Sequence, residues 1–160
     1  MQHKLSALDG SIYILELAEP FERLELQEMP SEISGQRSGN YAEINVPGRN
    51  DSLFHFTGGS ESFSISCQFF ADDSGVDNVL RDVNWLLGLM ANDSFNAPVR
   101  KVSFVFGKIF DRKAYIVKDV KYKFMDFRKD NGLVSRRAEV TISFALAVDN
   151  NRSIADIRQF

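Results

Sequence analysis

Residues 61–70 read ESFSISCQFF, and this stretch decides the fold. Phe63, Ile65, Cys67 and Phe69 alternate with Ser62, Ser64, Ser66 and Gln68. Successive side chains of a strand leave opposite faces of the sheet, so a period of two marks a strand with one apolar and one wet face. Such alternation favours antiparallel pairing, because parallel sheets are covered on both sides. Downstream, Val102, Phe104 and Phe106 alternate in the same way. Ile116, Val120, Tyr122 and Phe124 form one face of a longer run, opposite Lys121 and Lys123 and, less regularly, Tyr115 and Val117. The segment RKDNG at 128–132 contains the Asn-Gly pair of tight hairpins. The last strand sets Val134, Ala138, Val140, Ile142, Phe144, Leu146 and Val148 against Arg137, Glu139, Thr141, Ser143, Ala145 and Ala147. At ~3.3 Å per residue, each half of this hairpin reaches roughly 45 Å.

Upstream the signals are shorter. Ile12, Ile14 and Leu17 lie in an apolar segment, and Leu24 and Leu26 alternate with Arg23, Glu25 and Gln27. Residues 31–40, SEISGQRSGN, are polar with two glycines and read as a mobile loop. YAEINVPGRND then reads as a short strand turning at Pro47-Gly48. Thr57, Gly58, Gly59 and Ser60 read as a second turn. After Gly75 the period changes: Val76, Val79, Leu80, Val83, Leu86, Leu87 and Met90 form one stripe of a helix over about 76–92, widened by Trp85 and Leu89. Ser74 followed by Asp77 suits its N-terminus.

One helix among many strands makes an α+β, mainly β domain: an antiparallel β-sandwich or barrel with one flanking amphipathic helix. With 160 residues, 44% hydrophobic, a single domain over 1–160 is expected, with an N-terminal arm at 1–10 and a tail at 149–160. The expected core comprises Phe63, Ile65, Cys67, Phe69, Val83, Leu86, Leu87, Phe104, Tyr122, Phe124, Val140, Ile142 and Phe144. A lone Cys67 excludes an intramolecular disulfide and fits a reducing compartment. No signal-peptide pattern opens the chain and no apolar run approaches ~20 residues, so a soluble protein outside the usual export route is expected.

Catalytic signatures are missing: no phosphate-binding GxxxxGK[ST], no GxGxxG, no GxSxG and no HExxH. Two histidines and one cysteine leave little material for a metal cluster, and no cofactor is expected. His55 lies between Phe54 and Phe56 without an evident partner and reads as structural, while His3 sits in the N-terminal arm. Cys67 shares the apolar face and reads as a small hydrophobe. Glu16, Glu19, Glu22, Glu25 and Glu28 recur every three residues, but Pro20 and the Leu24/Leu26 alternation make this extended chain with a solvated or contact-making face. An enzyme is not expected.

The charge is polarised. Residues 1–99 carry five Lys/Arg against fifteen Asp/Glu, and residues 100–160 carry fourteen against seven. Three readings follow: nucleic-acid binding by the basic half, head-to-tail self-association, or neutralisation within the monomer. The basic residues Lys113, Lys118, Lys121, Lys123, Arg128, Lys129, Arg136 and Arg137 are interleaved with aromatics, which keeps a monomeric barrel binding a ligand or single-stranded nucleic acid through the 113–137 hairpin as the alternative. Tyr122 and Phe124 share the apolar face and are expected in the core rather than stacked on bases.

A series of features occurs in order: TGGSESFSISCQFFAD from Thr57, VDNVLRDVNWLLGLM from Val76, NAPVRKVSFVFGKIF from Asn96, and a long hairpin, KAYIVKDVKYKFMDFRKDNGLVSRRAEVTISFALA, whose return strand opens with basic residues and Ala. The series resembles the tube-fold proteins of contractile injection systems, including tube-initiator and baseplate-hub proteins of contractile phage tails, over roughly residues 57–148. The resemblance implies a small barrel or sandwich whose copies, six per ring, join their sheets around a channel between the central spike or hub and the tail tube. Many relatives carry a C-terminal peptidoglycan-binding LysM module; with NNRSIADIRQF following the last strand, none is expected here. It further implies a virion protein assembled in the host cytoplasm, with its own copies, tube protein and hub or spike proteins as partners, DNA only in transit, and no membrane. On this basis Lys121, Lys123, Arg128, Lys129, Arg136, Arg137, Glu22, Glu25 and Glu28 are candidates for ring or stack contacts, and Glu139, Thr141, Ser143 and Ala145 for the channel face. Ile154, Ile157 and Phe160 either dock on a neighbour or cap their own core.

Overall fold

The computed structural model describes residues 12–30, 32–71, 78–91, 99–106, 113–129 and 133–147. Its strands are β1 (Ile12–Glu16), β2 (Arg23–Glu25), β3 (Ile33–Ile44), β4 (Leu53–Phe70), β5 (Val102–Phe106), β6 (Tyr115–Arg128) and β7 (Val134–Leu146), with helix α1 (Asn78–Gly88) between β4 and β5. The strands form one sheet in the order β2-β1-β5-β6-β7-β4-β3, and every neighbouring pair is antiparallel. The protein is therefore α+β and mainly β.

The sheet curls around its apolar face. In a flat sheet, β5 and β4 would lie about 14 Å apart, with β6 and β7 between them at ~4.8 Å per step. Instead the Phe104 and Phe63 rings approach to 5.5 Å. Phe63 also stands 4.8 Å from Tyr115 and 4.7 Å from Phe144, so rings from four strands meet at one centre. Ile14, Leu24, Ile65, Phe69, Val102, Val140 and Ile142 complete the buried core. Across it lies α1, which buries Val79, Val83 and Leu86, with Leu89 just beyond its end. The Trp85 indole N–H donates to Glu22 Oε2 at 2.9 Å and so ties the helix to the β1–β2 turn.

Four expectations are corrected. Residues 33–40 belong to strand β3, because an edge strand bare on both faces reads as polar while its backbone is satisfied by β4. Thr57, Gly58, Gly59 and Ser60 lie inside β4: Asn40 pairs with Gly58 and Tyr41 with Phe56, so Thr57 is an extra residue in a bulge. Gly58 takes φ 142°, a conformation that side-chain-bearing residues avoid. A second bulge separates Val117 from Asp119 in β6. It puts Tyr115 and Val117 on the same buried face as Val120, and Ile116, paired with Ala145, on the other. Finally, α1 ends at Gly88 rather than near 92, with i+3 hydrogen bonds from Leu89, Met90 and Ala91 tightening its exit. The Ser74/Asp77 start lies outside the described residues.

The Pro47-Gly48 turn is as expected: Gly48 takes φ 87° and the Arg49 N–H donates to the Val46 carbonyl at 3.2 Å, the type II arrangement.

Candidate assembly surface

The face of the sheet away from the core is lined with hydroxyls. On β4 it presents Ser60, Ser62, Ser64, Ser66 and Gln68; on β7, Glu139, Thr141, Ser143 and Ala145 lie directly opposite Gln68, Ser66, Ser64 and Ser62. Ser66 and Thr141 bring their hydroxyls to 3.4 Å. Lys121 and Lys123 of β6 continue the face beside Thr141 and Glu139. Residues missed in the sequence extend it: Ser34, Gln36 and Ser38 of β3 pair with Ser64, Ser62 and Ser60. Their signal was present as a period of two, obscured by Gly35 and Gly39 on the alternate positions.

This face carries two hollows. A trough of about 560 Å³ crosses four strands, lined among others by Ser34, Gln36, Ser62, Ser64, Lys118, Asp119 and Ser143. A second hollow of about 200 Å³ lies between Glu28 and Met29 on one side and Gln68, Glu139 and Thr141 on the other. Hydroxyls and side-chain amides there are interspersed with Lys118, Asp119, Lys121, Lys123 and Glu139, so the face is polar and carries charges of both signs.

The acidic series is not one surface. Glu16 is buried on the core side of β1, with Oε1 3.4 Å from Arg100 Nη1 and Oε2 without a hydrogen-bond partner among the described residues. Burial raises its pKa, and Arg100 opposes the rise. Glu22 holds Trp85, and Glu25 pairs with Arg23 at 2.9 Å. Both therefore make their bonds inside the subunit and remain partly exposed. Glu19 and Glu28 are exposed. On the basic side, Lys121, Lys123, Arg128, Lys129 and Arg136 are exposed. Arg137 is half-buried, 3.6 Å from Asp126 and bonded to Met125 Sδ at 3.5 Å, so it braces its own hairpin. Ile154, Ile157 and Phe160 lie outside the described residues.

Tyr122 departs from its expected place in the core. It leaves the apolar face opposite Val140 but is 50% exposed, its ring tilted at 59° against half-buried Phe124 at 5.4 Å. Burial pushes the Cys67 thiol up to about 12, so it remains protonated and packs as a hydrophobe. His55 is exposed on β4. Among the described residues, no group of three or more His, Cys, Asp or Glu is placed to hold a metal ion, and no helix is long and apolar enough to cross a membrane.

Sheet edges complete the surface. β3 is an outer strand of twelve residues whose far side faces no other strand among those described. Together β3 and β4 form an arm: β7 pairs with β4 only from Ser62 onward, leaving residues 53–61 beyond it. Glu61 anchors the arm's base, with Oε2 3.2 Å from Arg37 and Oε1 3.7 Å from Lys113.

No family model and no curated protein matches the chain. Among solved structures it is similar to a chain of the virion of a native gene transfer agent particle, at 11% identity and a TM-score of 0.42, over 86% of this chain and 95% of that one. A likeness of that size does not establish a common fold.

Proposed function

We propose that this chain is a structural, non-enzymatic subunit of a contractile phage tail or a related injection machine. In this reading its copies close into a ring, six to the turn, that joins the central hub or spike to the tail tube and initiates the tube. The observation that carries the reading is the hydroxyl-lined face of β3, β4, β7 and β6, backed by a core and helix on the other side. A sheet dry on one side and wet on the other is what a ring wall requires. The open edge of β3 supports it as well, since long exposed edges are a liability unless a neighbour pairs with them. The ordered series of sequence features gives the tail its place in the proposal.

The test is electron microscopy of the protein co-expressed with the hub and tube proteins of its own tail. The expected image is a closed ring with an open lumen at their junction; tails whose hub-to-tube junction lacks this chain would sink the reading.

A second reading has one observation of its own. Phe127 is exposed on the hairpin, on the side from which Lys121 and Lys123 leave β6, an arrangement able to stack a base and neutralise phosphates. It predicts single-stranded nucleic-acid binding that weakens steeply with salt; affinity unchanged between low and high salt would remove it.

A further inference from the structure

The core-side face of the sheet is covered in the middle by α1 and by the curl, but at two opposite ends it carries aromatic rings in the open. On the arm, Tyr41 and Phe56 pair across β3 and β4 with ring centroids 5.5 Å apart, and Phe54 follows two residues along. These three side chains are 61%, 55% and 68% exposed. They continue the row begun by Phe63 and Ile65: Ile33 lies opposite Ile65, and odd-numbered β3 residues keep that side as far as Tyr41 and Glu43. At the other end, on the β6–β7 hairpin, Tyr122 and Phe124 show the same spacing, 5.4 Å. Charges stand on this face as well, among them Arg37, which pairs with Glu61 at the base of the arm. Glu43 stands opposite Phe54 on the arm. Arg136 leaves the side of β7 that Ala138 takes, beside the Phe124 position. Neither makes an ion pair among the described residues.

We propose that these two ends meet between copies: the arm of one copy lays Tyr41, Phe54 and Phe56 on Tyr122 and Phe124 of a second copy, with Glu43 against Arg136. The inference rests on the ring reading above and names the contact that would hold it. A second copy is the occupant because the two surfaces match in kind and are opposite in charge, and because they lie at opposite ends of one molecule. Such a pair cannot be satisfied within a subunit and makes a heterologous, head-to-tail contact. The polarity of the sequence, acidic before residue 100 and basic after it, has the same sense. Glu61 bridges Arg37 and Lys113 at the base of the arm.

The native chain has one cysteine, Cys67, which is buried, so introduced cysteines report contacts cleanly. The double variant Phe54→Cys/Tyr122→Cys is oxidised at high protein concentration beside each single variant, with thermal melts confirming that all three fold. Covalent dimers and higher multimers from the double variant, absent from either single variant, are expected. Glu43→Arg and Arg136→Glu alone should each weaken association about tenfold, and together restore most of it. Oligomers seen by light scattering without this cross-link, and indifferent to both charge changes, overturn the contact but leave the ring. Neither oligomers nor cross-links at any concentration, alone or mixed with the hub and tube proteins, overturn both.

Discussion

The carboxamide of Gln27 takes the place of a strand partner for Phe70. Its Oε1 accepts the Phe70 N–H at 2.7 Å and its Nε2 donates to the Phe70 carbonyl at 3.1 Å. Gln27 follows β2, one edge of the sheet, and Phe70 ends β4, near the other edge. This pair of bonds therefore carries the curled sheet toward closure where no backbone ladder does so. Just after Gln27 in the chain, Glu28 and Met29 stand at the wall of the smaller hollow.

Gln27→Ala should cost about 1–2 kcal/mol, the loss expected when two hydrogen bonds go and a main-chain pair is left to water. The lowered midpoint of urea unfolding, at unchanged slope, measures it. Gln27→Glu keeps the acceptor but sets a carboxylate against the Phe70 carbonyl, and should be no more stable than the alanine variant at pH 7.

Phe63 sits at the centre of the ring cluster, within 5.5 Å of Phe104, Tyr115 and Phe144. Phe63→Ala should destabilise by about 3–5 kcal/mol, while Phe63→Leu keeps most of the volume and should cost less than half of that. Thermal melts of both variants give the comparison.

Much of this was legible in the sequence, and the exceptions have physical causes. The alternation of 61–70 and of the 113–148 hairpin places Phe63, Ile65, Phe69, Val140, Ile142 and Phe144 correctly because one face is dry and the other wet. Where a strand is bare on both faces, as β3 is, alternation carries no burial signal and Gly35 and Gly39 read as loop. Bulges mislead differently. One extra residue at Thr57 turns TGGS into an apparent turn, and one at Lys118 exchanges the faces of Ile116 and Val117. The exposure of Tyr122 depends on how far α1 reaches across β6, which no local pattern encodes. The hydroxyl face was half visible: Thr141 and Ser143 on β7 were expected there, and β3's share was not.

Asp82 is a buried helix residue whose pKa burial raises from 3.8 to about 6, with Arg81 opposing. A carboxyl with a raised folded-state pKa binds its proton more tightly when folded, so this group's contribution improves as pH falls from about 6 to about 4. It is least favourable above pH 6. Glu16 is shifted in the same direction for the same first cause. Asp82→Asn should therefore stabilise the protein at pH 7.5, by at most about 3 kcal/mol, and give no advantage at pH 4. Urea midpoints of both proteins across that range decide it; an advantage constant with pH would contradict the assignment.

Two glycines should respond oppositely to the same substitution. Gly88 closes α1, and a Cβ there would touch nothing within 4 Å, so Gly88→Ala should add about 0.5–1 kcal/mol. Gly58 also has open space around it but holds φ 142° in the β4 bulge, and Gly58→Ala should lose about 1 kcal/mol or more through backbone strain. Melting temperatures moving apart, up for the first and down for the second, are the expected result.

The central claim is that copies of this chain close a ring. Its most direct test is the mass of the purified protein by light scattering over a concentration and salt series, read against 18.1 kDa for one subunit. The account predicts growth with concentration to a closed species of six copies, about 109 kDa, that salt loosens because opposite charges guide the contact. A mass fixed at one subunit under every condition, and unchanged on mixing with the hub and tube proteins of its tail, would contradict it.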